Sequence, residues 1–455
     1  MPDQPLTSDP AILESPSQEA DAATPSEAPK RSVRRNVVWY LLGNIAFSAG
    51  QWAMLVLLAK LTNKEMVGLL TLARAITFPP LQFANLNLRI VLASTTTGDF
   101  RFREYLGLRL FALPIAFAFI VFAGFSGRTA TEGWIVVLVG LAGVFDSISD
   151  VIYGVFQQTE NLDRISISRT IQGLGQLVVF VLVMLVTKNL LMGVGALAVM
   201  SALVTIFYDL RLARVTLHQA RAERDVRYQD EESLSLKPSF EAPRLYALFL
   251  RALPMAVVLL FTALIYNVPR YFIESSFGLA ELGIFGAMTA LMQAAAMVQS
   301  AVGHSTVPRL ARYYEEDAGR FKRLFRKLVG ISVISMVANV VGSLLLGKWA
   351  LSVIYKPEYA AQIAVFHWLM LANGIYYVQA ALKDGVTAAQ NYRVQPWILG
   401  LGVGSVALAC IPLIPSHGLL GAAWAVTIGM TLMAVLFAVV ALQTIRRLPT
   451  STAQA

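Results

Sequence analysis

Two carboxylates and a few arginines stand inside otherwise apolar stretches of this sequence. Asp146 and Asp150 lie four residues apart in the segment GVFDSISDVIYG, so on a helix they share one face, about 6 Å apart. Arg74 and Arg89 interrupt the apolar run 65–93 in the same way. An ionised group in an apolar helix is costly and usually serves a transport pathway or a charged partner. The first question is therefore whether these helices lie in a membrane.

The composition answers this question for the whole chain. Of its 455 residues, 56% are hydrophobic and only 14% are charged, against about 25% charged residues in soluble domains. A single cysteine, Cys410, excludes an intramolecular disulfide and a cysteine-rich metal site. The net charge of +9 is explained by basic cytoplasmic loops rather than by nucleic-acid binding. We predict an all-α polytopic membrane protein with no cofactor, no bound metal and no nucleic-acid partner.

Hydropathy divides the chain into about twelve transmembrane helices. The predicted spans are 36–59, 65–93, 108–126, 133–157, 168–187, 190–209, 246–267, 281–304, 328–347, 361–383, 396–414 and 418–443. An even number of spans puts both termini on one side of the membrane. The segments on that side hold 28 Lys and Arg residues, against 7 on the other side, and cytoplasmic loops carry such an excess. Both termini are therefore expected in the cytoplasm.

A charged segment separates the first six spans from the last six. We expect a disordered cytoplasmic tail at 1–35, where Pro, Ser, Ala and acidic residues leave too little apolar surface to bury. The other expected parts are an N-lobe at 36–209, a cytoplasmic linker at 210–245, a C-lobe at 246–445 and a second cytoplasmic tail at 446–455.

The two sets of spans resemble each other in sequence. The segment KEMVGLLTLARAI (64–76) is similar to AELGIFGAMTALM (280–292), with Gly68 equivalent to Gly283. Three further pairs of segments follow in order, at offsets of about 215 to 231 residues. Because both halves begin on the same side, they are parallel repeats related by an axis along the membrane normal. Such an architecture places a substrate path between two lobes that rock against each other.

Four strings carry a resemblance to a known family. They are FANLNLR (Phe83 to Arg89), FRFREYLGLR (Phe100 to Arg109), DSISDVIYG (Asp146 to Gly154) and DRISIS (Asp163 to Ser168). In order and spacing, over roughly 36–445, the chain resembles Wzx-type oligosaccharide flippases of the multidrug/oligosaccharidyl-lipid/polysaccharide (MOP) exporter superfamily. Many members of that superfamily have fourteen spans, whereas twelve are predicted here.

The resemblance implies a MATE-like fold and a specific transport activity. The implied substrate is a polyprenyl-pyrophosphate-linked oligosaccharide, flipped across a bacterial inner membrane by alternating access for the synthesis of O-antigen, capsule or exopolysaccharide. Membrane lipids, a polysaccharide polymerase and glycosyltransferases of the same pathway are the implied partners.

Such a substrate needs cations for its phosphates, and guanidinium suits phosphate because it is planar, charged and bidentate. Arg74 is the first candidate, since it lies about 13 Å below the outer end of its span. Pro79 and Pro80 follow it and must interrupt helical hydrogen bonding. The alternative is a structural arginine paired with a carboxylate or a carbonyl. Arg270, beside Pro269, is either an external gate or an anchor.

Several other polar residues are candidates for contact with the substrate or for a gate. They are Asn44, Gln51, Arg89, its repeat mate Arg309, and the pair Lys383 and Asp384. Both arginines stand at predicted cytoplasmic ends of spans, where long basic side chains usually reach the headgroups. Anchoring is therefore favoured over substrate binding for them. The Lys383–Asp384 pair is expected to gate the cytoplasmic mouth.

Three titratable residues are candidates for coupling transport to an ion gradient: Asp146, Asp150 and His304. Buried carboxylates and histidines are the usual proton carriers in such systems. Asp146 is favoured because it lies close to mid-depth, whereas Asp150 is nearer the cytoplasmic mouth. The alternatives are a structural pairing of Asp146 with Arg89 or Arg169, and a packed polar role for His304.

Two other classes of protein compete with a flippase. A MATE-like, ion-coupled exporter of small molecules would share the fold, but a cationic drug favours carboxylates over arginines in the cavity. A membrane glycosyltransferase or polymerase needs a long external catalytic loop. The external loops here have at most about 15 residues, and the sequence contains no Asp-x-Asp, His-Glu-x-x-His or Walker-type motif. We therefore predict a transporter and not an enzyme.

Overall fold

The computed structural model describes residues 33–94, 100–222 and 236–447, excluding the side chains of 33–37, 94, 296–305 and 447. Both predicted tails lie outside these residues, apart from 33–35 and 446–447. The regular elements of the described part are all helices. The expected all-α fold is therefore confirmed.

The first half of the chain forms eight helices. They are α1 (Val33–Leu61), α2 (Lys64–Asn85), α3 (Leu88–Ser94), α4 (Phe102–Phe125), α5 (Ala130–Gln158), α6 (Leu162–Thr187), α7 (Leu190–Leu203) and α8 (Leu210–Ala222). A π-helical turn, Val204–Asp209, joins α7 to α8.

The second half forms five further helices. They are α9 (Ala242–Glu316), α10 (Ala318–Ile354), α11 (Pro357–Ala360), α12 (Ile363–Ala388) and α13 (Gln395–Arg447), with a short 3-10 turn, Tyr392–Val394, before α13.

Two of these helices fold back on themselves at a glycine. Gly278 in α9 has φ 78° and Gly418 in α13 has φ 61°, a left-handed conformation that glycine adopts without the clash of a Cβ atom. On either side of Gly278, the side chains of Arg270 and Thr289 meet at 3.0 Å. After Gly418, Gly421 packs against the turn of helix that precedes the fold. Each helix is therefore an antiparallel hairpin with two arms.

Nine helical segments of the described part are long and apolar enough to cross a membrane. Two of them, Ala242–Ala295 and Tyr392–Arg446, have 54 and 55 residues and contain the folds in α9 and α13. A span needs about 20 residues, so each of these two is long enough to cross twice. The chain is a multi-pass membrane protein, and the count of twelve spans stays a prediction.

Contacts between helix junctions group them at two ends of the bundle. Lys64 pairs with Glu358 at 3.2 Å, so the α1–α2 and α10–α12 junctions lie together. Arg244 pairs with Glu104 at 2.7 Å, which joins the starts of α4 and α9. We call the end at Glu104 the basic end, because the predicted spans assign most Lys and Arg residues to the segments on this side. We call the end at Lys64 the opposite end. Which end faces the cytoplasm stays a prediction.

The helices pack in two groups. Within the first group, α1 lies along α6, and α5 contacts α2, α4 and α7. Within the second group, α12 contacts α9, α10 and α13. The helix α8 lies in the segment that was predicted as the cytoplasmic linker. It packs into the core of the first group through Ala213, Leu217 and Ala220. The residue limits predicted for the two lobes stay a prediction.

The two groups meet most closely where two glycines face each other. A Cβ atom on Gly68 would lie 1.8 Å from the carbonyl oxygen of Leu279, and one on Gly283 would lie 2.1 Å from that of Lys64. Small residues let transmembrane helices approach at such distances. The contact is reciprocal, as a twofold axis between two repeats requires. The equivalence of Gly68 and Gly283 in the sequence therefore corresponds to a physical contact.

The proline pair in α2 removes backbone hydrogen bonds without ending the helix. The helix continues through Pro79 and Pro80 and ends later, where Leu86 and Asn87 both have positive φ. Neither proline has an N–H, so the carbonyls of Ala75 and Ile76, four residues before them, lose their helical donors. The hydroxyl of Tyr271, from the other half, donates to the carbonyl of Ala75 instead. The opposite half therefore replaces one of the two missing hydrogen bonds.

We expect Gly68→Ala to lower the stability of the fold. The added Cβ atom would overlap the carbonyl of Leu279, and overpacking of this kind costs about 1–3 kcal/mol. The measurement is the midpoint of thermal unfolding of the purified protein in detergent. Gly342→Ala is the matched control, because no atom lies within 4 Å of a Cβ there. An unchanged midpoint for Gly68→Ala would contradict the close contact.

Candidate functional site

Arg74 and Arg270 approach each other from the two halves. Arg74 stands about ten residues into α2 and Arg270 about eight residues before Gly278, so both lie about 12 to 15 Å from the opposite end. Their charges are close enough to interact, and both side chains are partly accessible. Two candidates that are distant in the sequence are thus brought into one site.

The two guanidinium groups have neutral partners. Arg74 donates to Oε1 of Gln51 at 2.8 Å, and Arg270 donates to Oδ1 of Asn267 at 2.9 Å and to Oγ1 of Thr289 at 3.0 Å. No carboxylate among the described side chains lies within ion-pair distance of either guanidinium. Both positive charges therefore remain available to an anion.

An apolar groove of about 1240 Å³ lies between α2, α4 and the first arm of α9. Its described lining includes Phe111 and Phe119, and Tyr271, the neighbour of Arg270, closes one side. The charged groups in this lining are Arg128 and Glu274, which pair at 3.7 Å across the two halves. The groove suits a long hydrocarbon chain, since its walls offer few polar groups.

A chain of hydrogen bonds runs from Arg74 through other helices of the first half. Nε2 of Gln51 donates to Oε1 of Gln176 at 2.6 Å, and Nε2 of Gln176 donates to Oγ of Ser201 at 2.7 Å. The chain ends at the Ser201 hydroxyl. Gln176 and Ser201 are buried. The chain passes through α2, α1, α6 and α7.

Asp146 shares its surroundings with a second carboxylate, Asp209. Nε2 of Gln172 donates to Oδ1 of Asp146, and the Ser149 hydroxyl donates to Asp209 at 2.6 Å. Arg169 is close enough for its charge to act on both carboxylates. Two carboxylates thus face one arginine. Because an uncompensated buried charge is costly, this cluster is suited to take up a proton.

Asp150 belongs to a different cluster from Asp146. Arg89 approaches it at 3.4 Å and Arg109, whose side chain is fully buried, at 3.3 Å. Arg89 also donates to the Tyr40 hydroxyl at 2.8 Å. The two carboxylates share a helix but turn to different neighbours, so they do not form one site. Asp150 therefore holds two arginines in place, and Arg89 is engaged in the bundle rather than at the headgroups.

The other candidates are Asn44, Arg309, Lys383, Asp384 and His304. Asn44 donates to a carbonyl of its own helix at 2.8 Å, and Arg309 is exposed. Lys383 and Asp384 are half-buried near the basic end of α12. The side chain of His304 lies outside the described residues. The roles predicted for these five residues stay predictions.

Several members of the buried network were not candidates in the sequence, among them Gln176 and Asp209. Gln176 follows Ser168 and Gln172 at intervals of four, and this polar stripe on one face of α6 was a readable signal. The sequence predicted Asp209 at the end of the span 190–209, where a charged residue is common. The π-helical turn 204–209 carries it inward instead, and such turns are frequent at functional sites.

Known proteins resemble this chain in sequence and in fold. Residues 33–314 match the family described as Polysaccharide biosynthesis protein. The capsular polysaccharide biosynthesis protein CapF of Staphylococcus aureus is 24% identical over 405 residues, which cover 87% of this chain and 95% of CapF.

Solved structures share the fold. An inward-facing MATE family transporter of the MOP superfamily has a TM-score of 0.62 at 12% identity, over 92% of this chain and 96% of its own. The lipid II flippase MurJ, in an inward closed conformation, has a TM-score of 0.66 at 11% identity, over 92% of this chain and 88% of its own. The predicted MATE-like fold is therefore confirmed, and these similar proteins are transporters rather than enzymes.

We expect Asp150→Ala to destabilise the protein strongly. The change leaves Arg109 buried without its carboxylate, and breaking a buried pair costs about 3–5 kcal/mol. The additional change Arg109→Met should recover part of that loss. The measurement is a double-mutant cycle of unfolding free energies in denaturant.

The matched control for this cycle is an exposed pair. Glu316→Ala removes the partner of Arg312, where both side chains are 62% exposed, and should cost less than about 1 kcal/mol. Two results together would contradict the structural role of Asp150. They are an Asp150→Ala variant as stable as the wild type, and transport by this variant that no longer depends on a proton gradient. These results would favour a role of Asp150 in coupling transport to protons.

Proposed function

This chain belongs to the family of polysaccharide biosynthesis proteins, and we propose that it flips a polyprenyl-pyrophosphate-linked oligosaccharide across the bacterial inner membrane. The family match and the likeness to transporters and a flippase support a transporter in polysaccharide biosynthesis. The nature of the substrate is argued from the site itself.

The observation that carries the proposal is the pair of Arg74 and Arg270 without a carboxylate partner. The charge of Arg74 acts on Arg270, and a bound pyrophosphate would relieve this repulsion. Guanidinium binds phosphate oxygens in a bidentate manner. A cationic drug would meet the same two charges and be repelled, so the pair favours an anionic substrate over the small-molecule exporter alternative.

The apolar groove supports a substrate with a lipid chain. Tyr271 lines the groove and directly follows Arg270 in the sequence, so the groove reaches the turn of helix that carries Arg270. A phosphate at the arginines could therefore remain joined to a hydrocarbon chain in the groove. Burying such a chain is favourable by about 25 cal/mol for each Å² of apolar surface.

The proposal includes alternating access between the two halves. Lys64 and Glu358, and likewise Arg128 and Glu274, form ion pairs across the halves toward the opposite end. Opening that end requires these pairs to separate, whereas the buried contacts within each half can persist. Asp146 is the proposed ion-coupling residue. In this proposal both termini are cytoplasmic, and a polymerase and glycosyltransferases act before and after the flipping step.

We expect Arg74→Ala and Arg270→Ala to reduce flipping at least tenfold, because a charge-assisted hydrogen bond contributes about 1.5–3 kcal/mol. Arg74→Lys should retain part of the activity, since it keeps the charge but loses the planar fork. The measurement is the flipping of a lipid-linked oligosaccharide in proteoliposomes, with equal amounts of folded protein.

Arg312→Ala is the control for this experiment, since Arg312 is exposed on the far part of α9 and pairs with Glu316. Wild-type flipping by both arginine variants would remove the pair from the site. Export of cationic drugs by the wild type, with no flipping of lipid-linked sugar, would favour the small-molecule exporter.

We expect Ala112→Trp to impair the flipping of long-chain substrates more than that of short-chain analogues. Ala112 lines the groove, and an indole there would occupy space that a long chain needs. The measurement compares lipid-linked sugars of different prenyl length in the same vesicles. Ala118→Trp is the matched control, because Ala118 is exposed on the same helix outside the groove lining. Equal loss for short and long chains would argue against the groove as the chain site.

A further inference from the structure

One hydrogen bond between the two halves joins the residues that directly follow the two arginines. The hydroxyl of Tyr271, next to Arg270, donates to the backbone carbonyl of Ala75, next to Arg74. Ala75 is fully buried, and the bond lies about 10 to 16 Å inside the opposite end, counted along the two helices. It therefore ties the backbones of the two halves together where they carry the arginines.

The carbonyl of Ala75 depends on this donor because its own helix cannot supply one. Pro79 stands where the donating N–H of α2 would be. A buried carbonyl without a donor is unfavourable, and in this structure the Tyr271 hydroxyl removes that cost. If the halves separate at the opposite end, the hydroxyl no longer reaches the carbonyl.

The other polar contacts between the halves at this end are of a different kind. Lys64 pairs with Glu358 at 3.2 Å, and the ammonium group of Lys356 donates to the carbonyl of Thr62 at 2.6 Å. These groups lie at the helix junctions, and the side chains of Lys64 and Glu358 are 31% and 40% exposed. Ion pairs that water can reach contribute little. The Tyr271 bond lies deeper and is better protected from water.

We propose that the Tyr271 hydroxyl is a latch between the halves, which holds the opposite end closed by satisfying the carbonyl that Pro79 leaves free. The closed state contains this bond and the open state does not, so the bond shifts the equilibrium toward the closed state. Tyr271 is a positioning residue, because it acts on the arginines only through the backbones that carry them. This inference rests on the alternating access of the proposed function and not on the identity of its substrate.

The ring of Tyr271 has a second place in the structure, since it lines the apolar groove. Removing the whole side chain would therefore change the groove and the latch together. Tyr271→Phe removes the hydroxyl and keeps the ring, so it changes the latch alone. This variant is the one that tests the proposal.

The test measures the distance between the halves at the opposite end, by pulsed electron spin resonance on the full-length protein in lipid nanodiscs. Spin labels at Thr187→Cys in α6 and Ser416→Cys in α13 report the two halves, because both positions are exposed. The native Cys410 is buried. Tyr271→Phe should raise the ratio of open to closed protein about three- to tenfold, which corresponds to the usual contribution of one hydrogen bond.

Two further variants make the result specific. Pro79→Ala restores the N–H in α2, so the carbonyl of Ala75 has a donor in both states. Adding Tyr271→Phe to Pro79→Ala should therefore change the ratio less than about twofold. Tyr377→Phe is the matched control, because it removes a buried hydroxyl that accepts from Asn373 of the same helix at 2.8 Å. It should keep the wild-type ratio.

The outcomes separate this inference from the proposed function. An unchanged ratio in Tyr271→Phe overturns the latch and leaves the flippase proposal standing. An equal rise with and without Pro79→Ala, or an equal rise in Tyr377→Phe, also overturns it. A single distance in the wild type and in every variant overturns alternating access and the latch with it. The expected ratios, in a protein that flips no lipid-linked oligosaccharide, would support the latch and overturn the proposed substrate.

Discussion

The constraint on which this structure depends is the absence of water from the hydrocarbon region. Every buried polar group must find its partner within the protein, because an unsatisfied one costs several kcal/mol. The carbonyl that Pro79 leaves without a partner is satisfied by Tyr271 from the other half. Arg109 is satisfied by Asp150, and Gln176 by Gln51 and Ser201. Polar residues in this chain therefore occur in connected sets.

The two halves have similar frames but different polar interiors. Gly68 and Gly283 are equivalent in the repeat and meet on the axis between the halves, so the backbone keeps the symmetry of the repeat. The carboxylate cluster around Asp146, in contrast, lies in the first half. A repeat that has lost its internal symmetry can divide two tasks between its halves. In the proposed function, the first half offers a site for a proton, and each half contributes an arginine that binds the substrate.

Charge and apolar surface are arranged side by side at the interface between the halves. Arg74 and Arg270 supply positive charge, and the groove lined by Phe111 and Phe119 also includes Tyr271, the residue after Arg270. An amphipathic lipid with an anionic head matches this arrangement, because each of its parts finds the environment it prefers. The ion pair of Arg128 and Glu274 crosses the groove between the halves, so movement of the halves and access to the groove are linked.

The sequence by itself determined the fold class, the repeat and two of the site residues. Long apolar runs predict membrane helices because a span must satisfy its own backbone. Arg74 was found as a charge within such a run, and Arg270 as a charge beside Pro269 at the outer end of another. Only the tertiary structure decided which charges have partners. Asp146 and Asp150 are four residues apart, yet one faces Gln172 and the other faces Arg109. Spacing along a helix fixes the direction of a side chain, but its partner comes from another helix, and that pairing is set by packing.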